Sequence, residues 1–215
     1  MLTKNQMNYL IKALLCIAVL FFLSINVLQA QQVKDGEGNA YSTIQIGDKI
    51  WMGEDLRIKT AQAIETSPGI YTDPPKLMNA PDAAIWEMLS KREMGAYSSY
   101  NNEPLTADGP NGYLYNWYAI NCNLCPSGYH IPTAEELKGL IAFQAKEKKN
   151  VGDGIRKDNG EFANRGSSQK TYWSKTESTG GNALNGCAFT NNGISWSDGI
   201  NKGFGLFIRC VSDKK

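Results

Sequence analysis

The chain has 215 residues, a formal net charge of +1, five cysteines and one histidine. This length predicts one domain or two small ones, and 42% hydrophobic residues is a globular rather than a disordered composition. Near-neutral charge gives no electrostatic case for nucleic acid, and a lone histidine excludes His-rich metal sites.

The chain starts with a basic stretch holding Lys4 and Lys12, then an apolar run from Ala13 to Leu28, then polar residues after Ala30. This is the pattern of a secretory signal peptide. The run is shorter than the roughly 20 residues a spanning helix needs, which favours a cleaved leader (1–30) over an anchor. Cys16 does not suit a lipid anchor, because Leu15 precedes it and most of the apolar run follows it. Cleavage after Ala30 takes away two lysines, no acid and one cysteine, leaving a mature chain (31–215) of charge −1 with four cysteines. An even cysteine count in an exported chain points to disulfides, and four cysteines allow three connectivities.

In the mature chain, Tyr41–Ile46 and Lys49–Met52 alternate apolar and polar residues around Gly47-Asp48, which predicts a hairpin with a II′ turn. Pro68, Pro74, Pro75 and Pro81 punctuate a loop. Asp82 is then placed to cap a short helix running to about Arg92, with Ile85, Trp86 and Leu89 on its apolar face. Residues 101–112 are turn chemistry throughout. The aromatic stretch Tyr113–Ile120 reads as a buried strand or short helix. Thr133-Ala-Glu-Glu136 is a capping box opening the clearest helix, about 133–148, with Leu137, Leu140 and Ile141 at helical spacing. Short strands follow: Thr171–Ser174, a hairpin built on Cys187–Thr190 and Ile194–Trp196, and Gly203–Val211 with Phe204, Leu206, Ile208 and Cys210 on one face. No repeat or linker divides the mature chain, so it reads as one α+β domain.

Several segments resemble one family when read in order. They are Ile50-Trp-Met-Gly-Glu-Asp-Leu-Arg57, Gly112-Tyr-Leu-Tyr-Asn-Trp-Tyr-Ala119, Cys125-Pro-Ser-Gly-Tyr-His-Ile-Pro132, Glu135-Glu136-Leu137, Tyr172-Trp-Ser-Lys-Thr-Glu177 and Gly205-Leu-Phe-Ile-Arg-Cys-Val211. The chain resembles the Fibrobacter succinogenes major paralogous domain of exported Bacteroidetes and Fibrobacteres proteins, across nearly the whole mature region. The family is similar to C-type-lectin-like domains. The resemblance therefore implies a compact α+β domain with short antiparallel strands and long loops, and no known reaction. It also implies a Cys125–Cys210 bridge, which leaves Cys122 to pair with Cys187. Residues 60–96 are longer than the family pattern and mark a place for individual specificity.

The candidate chemistry is sparse. Cys122-Asn-Leu-Cys125 has C-x-x-C spacing, but Pro126 and a turn follow where a redox motif needs a helix, and Cys187 and Cys210 do not form a second zinc knuckle. His130 has no nucleophile motif around it. Trp196-Ser-Asp198 is similar to the W-N-D of calcium-binding lectins, but the upstream carboxylate loop is missing and Ser197 replaces the amide. Neither a catalytic residue, a metal nor a cofactor is expected. Trp51, Trp117 and Trp173 sit in apolar runs and read as core. Tyr97, Tyr100, Trp196 and Asp198 lie near Asn- and Ser-rich loops and are the expected ligand contacts. The expected function is an exported binding domain for a glycan or surface protein, acting through loops 60–111 and 175–203. The alternative is a structural subunit of a surface assembly, and an enzyme is the least supported reading.

Overall fold

The computed structural model describes residues 32–106, 111–147, 153–165, 170–177, 185–190 and 195–214. The expected leader and its cleavage point after Ala30 lie outside them. Among the described residues no helix is long and apolar enough to cross a membrane.

The described part opens with a meander of β1 (Gln32–Lys34), β2 (Ala40–Ile46) and β3 (Lys49–Met52). Gly47 takes φ +63° in the β2–β3 turn while Asp48 stays out of the left-handed region, as a II′ turn requires. Next come β4 (Ile64–Ser67), β5 (Ile70–Thr72), β6 (Leu77–Asn79), α1 (Ala83–Lys91) and β7 (Gly95–Ser98). The β4–β5 hairpin stands where the sequence predicts only a loop. Its turn is Pro68-Gly69, with Ser67 opposite Ile70 and Gly69 at φ +77°. Proline followed by a positive-φ glycine is the signature of a type II turn. Asp82 caps α1 as predicted, its Oδ1 accepting the Ile85 N–H at 2.8 Å, while Trp86 and Leu89 are buried.

β8 (Leu114–Tyr115) leads into a 3₁₀ segment, Trp117–Cys122, so the aromatic stretch is strand and short helix in succession. β9 (Tyr129–His130) precedes α2 (Ala134–Glu147). The capping box forms: Thr133 N–H donates to Glu136 Oε2 at 2.9 Å, and Glu136 N–H donates back to Thr133 Oγ1 at 3.2 Å. The chain then builds β10 (Asp153–Arg156), β11 (Phe162–Arg165), β12 (Thr171–Glu177), β13 (Asn185–Thr190), β14 (Ser195–Asn201) and β15 (Val211–Ser212).

The result is α+β and mostly sheet. The largest sheet has the order β1-β2-β3-β15-β9, so the C-terminal strand sits between elements from the first two thirds of the chain. A second sheet is β12-β13-β14, and a third is β6-β7-β8, in which β6 and β7 run parallel. Residues 203–211 depart from the single expected strand. They make isolated bridges from Gly205 to Arg156, Leu206 to Tyr115 and Phe207 to Tyr172 before β15 begins. This segment is packed on both sides, since Leu206, Phe207, Ile208 and Cys210 are all fully buried. Alternation cannot mark a face where both faces are covered.

Three of the buried indoles donate to a backbone acceptor, which suits a buried Trp N–H. Trp86 Nε1 donates to Gly203 O at 2.8 Å, Trp173 Nε1 to Tyr115 O at 2.8 Å and Trp117 Nε1 to Ser174 O at 3.2 Å. Asn116 has no exposure at all; its Oδ1 accepts from Ala96 and Ala119 N–H, and its Nδ2 donates to Met94 O. It ties β7 to the 3₁₀ segment.

Cys125 and Cys210 form the disulfide that the family pattern implies, across a sequence separation of 85. The second expected bridge, Cys122–Cys187, is not made, because Cys122 is a free and buried thiol. It lies beneath the β7 backbone, so close to Gly95 that a Cβ there would meet its Sγ at 2.9 Å. The Cys187 side chain lies outside the described residues. Burial pushes the Cys122 thiol up to about 11, far from reactive thiolate character. Non-reducing peptide mapping should recover Cys125 joined to Cys210, with Cys122 alkylated only after unfolding. Reduction should lower stability by up to about 4 kcal/mol on the chain-entropy model, measured by denaturant titration.

Candidate functional site

Three clusters of charge stand out, two of them buried and one partly exposed, and each is built as a structural junction. The first is Asp55, which is 1% exposed. Arg209 Nε donates to its Oδ1 at 2.8 Å, and Lys170 Nζ lies 2.5 Å from its Oδ2. Burial alone would raise the Asp55 carboxyl, but Arg209 and then Lys170 outweigh it and hold it below the ordinary range. The two cations also lie over aromatic rings, Lys170 Nζ 4.5 Å from the Phe207 centroid and Arg209 5.5 Å from that of Tyr172. An ionised carboxylate with both oxygens engaged is a poor proton acceptor.

The second cluster surrounds the lone histidine. His130 Nδ1 lies 2.5 Å from Asp213 Oδ1, and Nε2 lies 3.1 Å from Glu136 Oε2. Lys49 Nζ approaches Glu136 Oε1 at 3.3 Å. A histidine acting as base needs one ring nitrogen open to a substrate, and here both face carboxylates. The third is Arg156, wholly buried between Trp86 and Phe162 with its guanidinium 4.6 Å from each ring centroid. Its Nε and Nη1 donate to Gly160 O and Ala80 O.

Metal ligation has little to draw on. Among the described residues no group of three or more His, Cys, Asp or Glu is disposed to hold a metal. The Asp35-Gly-Glu-Gly-Asn39 turn has the look of a cation loop. However, Asp35 accepts from Glu37 N–H, Asn39 N–H, Asn39 Nδ2 and Tyr41 OH, so its oxygens serve the turn itself.

The expected ligand residues separate. Tyr100 is corrected: only 7% exposed, it packs on the Phe162 ring at 5.1 Å and presents no face to solvent. The side chains of Trp196 and Asp198 lie outside the described residues. Tyr97 is half-buried and lines a groove of about 270 Å³. Alternation along β7 turns Tyr97 outward while its neighbours Ala96 and Ser98 face the interior. Asn79 lies opposite Tyr97 on β6, and Tyr113 meets it edge to face at 5.2 Å. Ser99, Asn102 and Glu103 complete the polar wall, and Lys59 stands at the rim. Arg165 pairs with Glu103 at 2.9 Å, holding that carboxylate in place. Burial, then Tyr113 and Glu37, keep the Tyr97 phenol above its usual range and so protonated as a hydrogen-bond donor. Sequence reading overlooked Tyr113 by assigning the whole 113–120 stretch to the core. The Gly-Pro-Asn-Gly turn before it was the available sign of an exposed position.

A family model, the Fibrobacter succinogenes major domain, matches residues 44–154, about half of the chain. The chain belongs to this family. No curated protein and no solved structure matches it. The matched stretch of the Fibrobacter succinogenes major domain contains Asp55, Tyr97, Tyr113 and Cys125, but it ends before Lys170, Trp173, Arg209 and Cys210. The last four pack directly on the matched region.

Two outcomes follow from the charge clusters. Asp55→Asn leaves Arg209 and Lys170 buried without their counter-charge and should cost about 3–5 kcal/mol in chemical denaturation. Glu136 is raised by burial but lowered further by the Thr133 N–H and His130, to about 2 against an ordinary 4.5. A depressed carboxyl stabilises the fold above its unfolded value and loses that contribution as pH falls from about 4.5 toward 2. Glu136→Gln should therefore flatten the acid limb of the stability–pH curve over that interval.

Proposed function

We propose that this chain is an exported, non-catalytic binding domain that takes a glycan in the groove between Tyr97 and Tyr113. The observation that carries this reading is the pairing of two half-exposed tyrosines with the side chains of Asn79, Ser99 and Asn102 in one concavity. A sugar ring offers an apolar face to stack on an aromatic, and hydroxyls that match amide and hydroxyl side chains in both donor and acceptor roles. Asn79 and Pro81 of the groove fall within residues 60–96, the stretch expected to be longer than the family pattern. A C-type-lectin-like arrangement fits the short strands and long loops, and the leader pattern and the disulfide support export. Among the described residues the large exposed apolar side chains, Ile70, Met78 and Met88, lie on three different elements. That scatter gives less support to a purely structural subunit, which needs a continuous apolar face.

Glycan-array screening of the disulfide-intact chain, run with and without calcium, tests the reading. Binding should occur without calcium. Tyr97→Ala and Tyr113→Ala should each weaken it by about tenfold or more, the loss of roughly 1.4 kcal/mol. Silence on every glycan would sink the proposal and move weight to a protein partner.

A further inference from the structure

A second groove, of about 340 Å³, lies on other elements: the C-terminal end of α1, Tyr118 of the 3₁₀ segment, the Asp158-Asn159 turn and Asn201. Its floor is fixed. Trp86 Nε1 and Ser90 Oγ both donate to Gly203 O, Asn201 Oδ1 accepts the Gly203 N–H, and Asn201 Nδ2 donates to Asp158 Oδ2 at 3.0 Å. Gly203 packs tightly here, since a Cβ would meet those of Asp158 and Ser90 at 3.0 and 3.1 Å and press on both. A half-buried aromatic ring thus forms one wall of a preformed concavity with hydroxyl and amide groups in it.

The groove also has a sign. Glu87 is offset by Lys91 at 2.6 Å. Glu93 and Asp158 have no cation paired with them among the described residues, and Glu93 is close enough to help burial raise the Tyr118 phenol. Glu93 stands in an unusual place. The N–H groups of Glu93 and Met94 donate back to Ser90 O and Leu89 O, closing α1 with a Schellman cap. The residue at the turn of such a cap is left-handed and is usually glycine, yet Glu93 adopts φ +55°. The chain carries that strain and places a carboxylate beside Tyr118.

We propose that this groove binds a sugar bearing a free amine, its ring on the Tyr118 face and its ammonium against Glu93 and Asp158. An amino sugar uses every wall. Its apolar ring face meets the tyrosine, its hydroxyls meet Ser90, Asn159 and Asn201, and its cation meets the carboxylates. A lysine side chain would satisfy the cation and leave the amides unmatched. The molecule already seats an ammonium on an aromatic face elsewhere, with Lys202 Nζ 4.0 Å from the Trp117 centroid. The proposal is independent of the Tyr97 groove.

Calorimetric titration of the full chain at mildly acid pH and low salt, with glucosamine tetrasaccharide, its N-acetylated counterpart and tetralysine as probes, decides it. The free-amine sugar should bind about tenfold or more tightly than either of the other two. Tyr118→Ala should abolish the difference, and Tyr97→Ala should leave it unchanged. Glu93→Gly separates binding from folding: it should raise the thermal midpoint by relieving the left-handed strain, and weaken the free-amine sugar at least about fivefold. Equal binding of the two sugars, no binding of either, tetralysine binding as tightly as the free-amine sugar, loss of binding in Tyr97→Ala, or full affinity in Glu93→Gly would each overturn the proposal.

Discussion

The Asp55 carboxylate, sealed from water and held by Arg209 and Lys170, is the interaction on which the described fold turns. Asp55 follows β3, Lys170 precedes β12 and Arg209 precedes β15, so one carboxylate gathers three distant parts of the chain. Desolvating such a group is expensive unless every partner is in place. The same junction explains nearby glycine. A Cβ on Gly112 would come within 2.6 Å of the Asp55 Cβ, so the chain can pass behind the carboxylate only without a side chain. Around this point Met52 N–H donates to Cys210 O and Leu56 N–H to Ile208 O, locking the two segments side by side.

Between β3 and β8 the chain lays a smaller sheet, β6-β7-β8, against this frame. The β6-β7-β8 sheet is anchored by Asn116 and by Tyr115, whose OH donates to Ile58 O at 2.7 Å. On that anchored base, outward positions such as Tyr97 are free to serve contacts with other molecules. Precise placement of outward side chains comes from rigidity underneath them.

Local signals in the sequence were readable where one neighbourhood decides the outcome. Gly47-Asp48, Asp82 and Thr133 to Glu136 each act within four residues, and each forms the turn or cap its chemistry calls for. The core tryptophans were readable too, because apolar context and burial coincide. Long-range facts were less so. Segment 203–211 looks like one alternating strand, but it is covered on both sides by partners from β8, β10 and β12. Tyr100 carries the same polar neighbours as Tyr97 and still faces inward, since the turn after Ser99 directs it toward Phe162. Cys122 looked like half of a bridge because cysteine counting treats every cysteine as available, whereas the approach of Gly95 makes this one part of the packing. Tyr118, Glu93 and Asp158 are spread over 66 positions of sequence and share a groove only through the fold.

The position of Cys122, three residues before Cys125, carries a consequence for how the chain matures. A polypeptide that emerges N-terminus first exposes both thiols long before Cys210, which lies 85 residues beyond Cys125. During that interval the near neighbour is the easier partner by loop closure alone. In the folded chain the near competitor is packed away beneath β7 as a free, buried thiol, and the bridge that forms is the long-range one.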